Sequence, residues 1–317
     1  MPKSLLPIYT DASEIPVFFS TDDRYLPFLD VAIASLIDHA SPKYHYRLII
    51  LNTGLSADGM EKILRRRREG VAIEFVDISR EVETIQASFK DVYHFSVVTY
   101  YRLFIASLFP QYQKIVYLDS DLVVLGDVAE LYHTDLQGAI LAAAPEQYVR
   151  NTPEFRLYAD KALNVNPDGY VNAGVLVIDL EQFRRHRIEE KFVELITRYD
   201  FDLLDPDQAY LNYLCDGYIH VLPNGWNKEP LPLPLEGDLN LVHYALYKKP
   251  WQYDDVMYGE HFRYYAERSP FYEEILQRRN AFGDKERAEK EATATEILQH
   301  ALDIVNSENT FARKLIK

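Results

Sequence analysis

The chain has 317 residues, 48% hydrophobic and 13% aromatic. That is enough apolar material for one large core or two ordinary ones, and too much for a disordered chain. Its net charge of -15 at pH 7 excludes nucleic acid as a partner, because binding a phosphate backbone rests on clustered Lys and Arg; an anionic nucleotide remains admissible where a metal supplies local positive charge.

Read in order, the first half alternates strand and helix signals. Residues 15–19 form a short apolar run that reads as a buried strand. In 28–39, Leu29, Ala32, Ile33, Leu36 and Ile37 recur at helical spacing. Residues 48–51 and 72–76 read as further strands. Ser56 is placed to cap a helix running to Glu69, with Gly70 ending it. Residues 97–108 are apolar and aromatic at helical spacing, and Pro110 stops them. Residues 114–118 are a fourth strand. Such alternation predicts an α/β fold with a largely parallel sheet.

Later, 139–144 and 174–178 read as strands and 188–199 as an amphipathic helix. Pro206 starts a helix to about Cys215. The Pro-rich 230–234 is loop, 239–244 a late strand, and the signals beyond Tyr258 are helical. The run Arg65 to Arg68 reads as a solvated helix face.

Asp119-Ser120-Asp121 follows the strand 114–118 directly. Ligands of open α/β sheets bind outside the carboxyl ends of the strands. Two carboxylates there can share one hard cation, which keeps positions for substrate phosphates. A polar turn closing the strand is the bland alternative.

With its neighbours, this segment resembles the Asp-x-Asp motif of family 8 glycosyltransferases. Other marks of that family occur in order from residue 15 to residue 251: Phe19 to Tyr25, Tyr101-Arg102-Leu103, Asn172-Ala173-Gly174-Val175, Asp207 to Asn212, and His243-Tyr244 followed by Lys249-Pro250-Trp251. The resemblance implies a GT-A-type, Rossmann-like nucleotide-diphospho-sugar transferase fold over residues 1–255, with a mainly helical extension over 256–317. It also implies a retaining transferase that moves a hexose from UDP-galactose or UDP-glucose, galactose slightly favoured, to a saccharide acceptor: lipid-linked, polysaccharide or glycoprotein. Asp119, Asp121 and His243 would hold Mn²⁺, with Mg²⁺ the other candidate; an imidazole ligand favours the former. Ser20, Asp22, Tyr25, Arg102, Asp119, Ser120, Asn172 and Lys249 would bind the donor. Gln208 would lie beneath the anomeric carbon, with Asp207 the reserve nucleophile. Two positions depart from the family pattern: Arg24 stands where Asn is usual, and Leu246 where Gly is usual.

Two other functions stay in view. A nucleotidyltransferase making a UDP-sugar is disfavoured because residues 20–24 contain no Gly to cradle phosphates. An inactive glycan- or nucleotide-binding module would have no need of Asp119, Asp121, His243, Asp207 and Gln208 together. The tail carries an apolar stripe, Ile297, Leu298, Ala301, Leu302 and Val305, expected to pack on the body. Its basic-apolar end, 311–317, suits at most a weak peripheral membrane contact. Cys215 is the sole cysteine, and residues 1–9 lack a secretory apolar run. The expected location is cytoplasmic, with the inner membrane face as a variant.

Overall fold

The computed structural model describes residues 13–86, 97–245 and 247–315. Nine strands form two sheets among them: β1 (Glu14–Ser20), β2 (His45–Asn52), β3 (Val71–Asp77), β4 (Lys114–Leu118), β5 (Leu122–Val124), β6 (Leu141–Pro145), β7 (Val171–Asp179), β8 (Ile219–Val221) and β9 (Leu241–His243). The large sheet has the order β3-β2-β1-β4-β7-β6-β8, and β5 pairs with β9 in a small second sheet. The first four strands are mutually parallel. β7 runs antiparallel to both neighbours and β8 is parallel to β6, so the sheet is largely parallel, as expected, with β7 its one reversed strand. Every residue of β1 and β6 is buried, as a central strand covered on both faces requires.

The topology explains why distant motifs meet. β1 and β4 are parallel neighbours, so Ser20 and Asp119 leave the same edge of the sheet, and the Ser120 hydroxyl donates to the Ser20 carbonyl at 3.0 Å. β7 returns antiparallel to β4, which brings its beginning to that edge; Asp119 N–H donates to the Gly174 carbonyl at 2.8 Å. β5 continues from Asp121 and pairs Leu122 with His243.

Several local expectations needed correction. The helix capped by Ser56 covers only Ala57–Leu64, so Arg65 to Arg68 lie beyond its last full turn. Arg65, Arg67 and Arg68 are exposed, as a solvated run requires, although Arg67 and Arg68 also donate to the carbonyls of Ile73 and Ile37; Arg66 departs from it, forming a forked pair with the fully buried Asp30. Residues 97–104 are wound as a 3₁₀ helix, followed by a single α-turn at Ile105–Leu108. β7 starts at Val171, three residues earlier than expected, so Asn172-Ala173-Gly174 is strand and not a turn.

Four helices follow Tyr258: Gly259–Ala266, Tyr272–Ala281, Asp284–Asn306 and Phe311–Lys314. They pack on the body. Ala301, Ile304 and Phe311 are buried in the main core, with Leu298 and Val305 packed against it. Phe311 meets the rings of Phe201, Tyr213 and Tyr210 at 4.6, 4.8 and 5.2 Å. The expected stripe fails at one place: Ile297 is 40% exposed, because the helix leaves the core surface toward its N-terminal half. Among the described residues no helix is long and apolar enough to cross a membrane.

Candidate functional site

Asp119, Asp121 and His243 each offer one ligand atom, and these atoms lie within 4.8 Å of one another. Each carboxylate turns one oxygen outward to a fixed cation. Asp119 Oδ1 accepts from Arg102 at 2.7 Å and from the Tyr117 hydroxyl at 3.1 Å. Asp121 Oδ2 accepts from Lys249 at 2.7 Å. The inner oxygens, Asp119 Oδ2 and Asp121 Oδ1, stand 3.8 and 3.2 Å from His243 Nε2. Burial works against the charge of Asp121, yet Lys249 and His243 outweigh it and hold this carboxyl well below the usual range.

The hydrogen-bond chain behind His243 fixes its tautomer. The Gly174 backbone N–H, necessarily a donor, bonds the Asn172 Oδ1 at 2.9 Å. That orients the Asn172 amide, whose Nδ2 donates to Glu146 at 2.6 Å. Asn227 Nδ2 also donates to Asn172 Oδ1, at 2.9 Å, so Asn227 Oδ1 must accept from His243 Nδ1, again at 2.9 Å. With Nδ1 donating to Asn227, Nε2 is the ring nitrogen turned to the two carboxylates. Whenever Nε2 carries no proton, three acceptors converge there, the situation a divalent cation resolves. Two carboxylates and an imidazole with a fixed outer partner suit such an ion.

Arg102 links this cluster to the next one. Besides Asp119 it reaches Asp207 at 3.3 Å and the Ala173 carbonyl, and its guanidinium lies 4.4 Å over the Tyr117 ring. Burial opposes its charge, but Asp119, Tyr117 and Asp207 hold it firmly protonated. Burial pushes the Asp207 carboxyl up, with Arg102 acting against that. Gln208 Oε1 accepts from Ala173 N–H at 2.9 Å, which turns Nε2 toward Asp205 at 2.7 Å and Glu146 at 3.4 Å. Asp205 in turn accepts from the hydroxyls of Tyr158 at 3.0 Å and Tyr170 at 2.8 Å. Burial raises its pKa to about 7, with Tyr170, Tyr158 and Gln208 opposing.

A cavity of about 750 Å³ extends outward from Asp119, Ser120 and Asp121 over Ser20, Asp22, Tyr25 and Lys249. Tyr25 is 38% exposed and sits edge-on to Phe28 and Trp251 at 5.6 and 6.5 Å. Asp22 is engaged on both oxygens, by Tyr25 N–H at 3.0 Å and Arg24 at 2.8 Å; Arg24, the departure from the family pattern, thus occupies that carboxylate. The other departure, Leu246, lies outside the described residues. A smaller chamber of about 270 Å³ joins the cavity and is lined by Asn172, Ala173, Asp207, Gln208 and His243.

Sequence reasoning missed several contributors. Glu146, Asp205 and Asn227 carried no local signal, because their side-chain partners are 16 or more residues away in all but the Asp205–Gln208 and Glu146–Tyr148 contacts. The extension supplies Arg278, Phe282 and Lys290 to the wall of the larger cavity, and nothing in its helical periodicity marks them.

A Rossmann-like sheet bearing an acidic pair and a histidine at one strand edge defines the class: a glycosyltransferase of GT-A architecture. The chain belongs to glycosyl transferase family 8, whose model matches residues 16–255. It is 26% identical to general stress protein A of Bacillus subtilis over 73% of this chain and 85% of that protein. It is 29% identical to the lipopolysaccharide 1,2-glucosyltransferase of Escherichia coli over 48% of each chain. Among solved structures, galactosyltransferase LgtC in complex with donor and acceptor sugar analogs has a TM-score of 0.66 at 26% identity, over 81% of this chain and 96% of that one. The apo structure of the bifunctional glycosyltransferase WbbM has a TM-score of 0.75 at 25% identity over 87% of this chain, which spans 53% of WbbM. As a member of this family the chain uses a nucleotide-sugar donor and a saccharide acceptor.

Proposed function

We propose that the protein is a retaining, metal-dependent hexosyltransferase that takes its sugar from a UDP-hexose, galactose slightly favoured over glucose, and forms an α-linkage to a glycan acceptor. The observation that carries this reading is the convergence of Asp119, Asp121 and His243 Nε2, with the tautomer fixed through Asn227 and with Arg102 and Lys249 bound to the outer oxygens. Mn²⁺ bound by these three side chains would supply a Lewis acid for the diphosphate. In this reading Lys249 exchanges Asp121 for a diphosphate oxygen and meets the charge of the departing UDP. The uracil stacks on Tyr25, and the hexose occupies the smaller chamber.

The bond from the anomeric carbon to the β-phosphate oxygen breaks, and its electron pair leaves with UDP. The acceptor hydroxyl attacks the same face and passes its proton to that oxygen. Gln208 lies opposite. An amide is a poor nucleophile, but Asp205 and Glu146 beside its Nε2 push electron density toward Oε1. That oxygen, with one lone pair beyond the Ala173 bond, stabilises the positive charge developing on the sugar. LgtC is a galactosyltransferase and the Escherichia coli relative a glucosyltransferase; both support a hexose donor.

The test measures UDP release from UDP-galactose and UDP-glucose with and without Mn²⁺, and reads the anomeric proton coupling of the product by NMR. Mn²⁺-dependent UDP release and an α-linked product are expected, and Gln208→Ala should keep detectable turnover. A β-linked product would overturn the retaining mechanism. Pyrophosphate release from UTP and a hexose phosphate would favour the nucleotidyltransferase.

A further inference from the structure

The helix Asp284–Asn306 lies outside residues 16–255, the part matched by the family. It nevertheless places two charged side chains, Glu286 and Lys290, in the wall of the larger cavity. Four residues apart, they share one face of the helix, but their charges are met differently. Glu286 Oε2 accepts from Gly283 N–H at 3.0 Å, at the end of the helix where the dipole favours a negative charge. Lys290 is half-buried, and its ammonium donates only to neutral oxygens: Gln252 Oε1 at 2.7 Å and, at a longer 3.4 Å, the Tyr247 carbonyl. An ammonium has three N–H donors; the remaining neighbour is the Phe282 ring, centred 6.0 Å away.

The other cations of that wall each have a carboxylate. Arg24 has Asp22, Arg102 has Asp119, Lys249 has Asp121 and Arg278 has Glu274. Among the described residues Lys290 forms no salt bridge. Its two oxygen partners bracket Lys249 in the chain. Tyr247 comes just before it, and Gln252 belongs to a turn in which the N–H groups of Gln252 and Tyr253 both donate to the Lys249 carbonyl at 2.9 Å. Two lysines therefore meet at one turn of the cavity wall. Burial, with Lys249 acting in the same direction, lowers the pKa of Lys290. Like charges gathered in a partly dry wall are costly until an anion joins them.

We propose that Lys290 is a second diphosphate-binding lysine, whose ammonium holds a phosphate oxygen of the donor beside that of Lys249. The inference rests on the nucleotide-sugar reading. A divalent ion held by Asp119 and Asp121 is balanced by those two carboxylates. The two negative charges of the diphosphate bridge are then left to the two lysines. The second of them comes from the C-terminal extension, which the family pattern does not cover.

The test titrates the full chain with UDP and with uridine at fixed Mn²⁺ and follows binding by calorimetry. Lys290→Met should weaken UDP about 10-fold, the low end for a hydrogen bond to a charged group. Lys290→Arg, which keeps the charge, should retain most of the affinity. Uridine carries no phosphate, so its affinity should be the same in all variants; that also shows that they fold. Lys290 could instead act only by holding the turn that carries Lys249, and a double-mutant cycle separates the two roles. A direct contact keeps its cost when Lys290→Met is made in a Lys249→Met chain. A cost that vanishes in that chain, an equal loss for uridine and UDP, or wild-type protein that binds UDP no tighter than uridine overturns the proposal. UDP release from the UDP-hexoses is measured in parallel on the wild-type chain. Its absence would sink the transferase reading while the UDP titrations still decide Lys290.

Discussion

Gly174→Ala tests the metal site with a single methyl group. Gly174 lies within β7 with ordinary strand dihedrals, so the backbone accepts alanine. The space does not. A Cβ built there falls 2.2 Å from His243 Cε1, 2.8 Å from its Nδ1 and 2.7 Å from Asp119 Oδ2. Ordinary contact needs about 3.5 Å, so the imidazole must retreat by roughly 1 Å, several times the ~0.2 Å tolerance of metal–ligand distances. Retreat also strains the Nδ1 bond to Asn227 that fixes the tautomer. Mn²⁺ affinity, read by electron paramagnetic resonance of the free ion, should fall by about 100-fold or more, beyond the ~10- to 100-fold usual for losing an outer-shell partner. Overpacking costs about 1–3 kcal/mol of stability, so the circular dichroism spectrum should be retained. Gly169→Ala is the control, since its nearest neighbour would be 3.6 Å away. Wild-type Mn²⁺ affinity in Gly174→Ala would refute the assignment of Asp119 and His243 as ligands.

The remaining predictions concern the supporting residues. Asn227→Ala should release His243 from its fixed tautomer and lower Mn²⁺ affinity ~10- to 100-fold, while titration with UDP alone should be little changed; equal Mn²⁺ affinity would remove Asn227 from the site. Burial gives Asp205 a folded pKa of about 7 against an ordinary value of 3.8. The unfolded chain therefore loses this proton first, and the contribution falls as pH rises from the lower value to the higher, by at most about 4 kcal/mol. Asp205→Asn should remove that decline, so its stability relative to wild type in urea should improve between about pH 4 and pH 8; a constant difference would contradict the buried-acid account. Phe311→Ala should cost about 3–5 kcal/mol in the same assay, because the ring is buried among Phe201, Tyr210 and Tyr213; a loss below ~1 kcal/mol would mean that the last helix is not docked.

The strands were readable because buried strands are local apolar runs: 114–118 was found to the residue, and β1 and β2 within a few residues of their ends. The motif residues Asp119, Asp121, Gln208 and His243 were readable because chemistry at strand and helix ends leaves short, dense signatures. Helix ends were harder. The segment 57–69 keeps its periodicity in sequence, but Arg66 is drawn to the buried Asp30 and the helix stops at Leu64. Only the fold could bring β7 back antiparallel to β4 and set Gly174 beside Asp119. Only the fold could tie Gly174, Asn172 and Asn227 into the chain that fixes His243, and carry Arg278 and Lys290 from the last helices to the cavity wall. The sequence thus determined most of the elements and offered the candidate site residues, since local burial and spacing encode both. Tertiary structure decided which of those side chains face one another, because hydrogen bonds and packing between residues far apart in the chain have no sequence period.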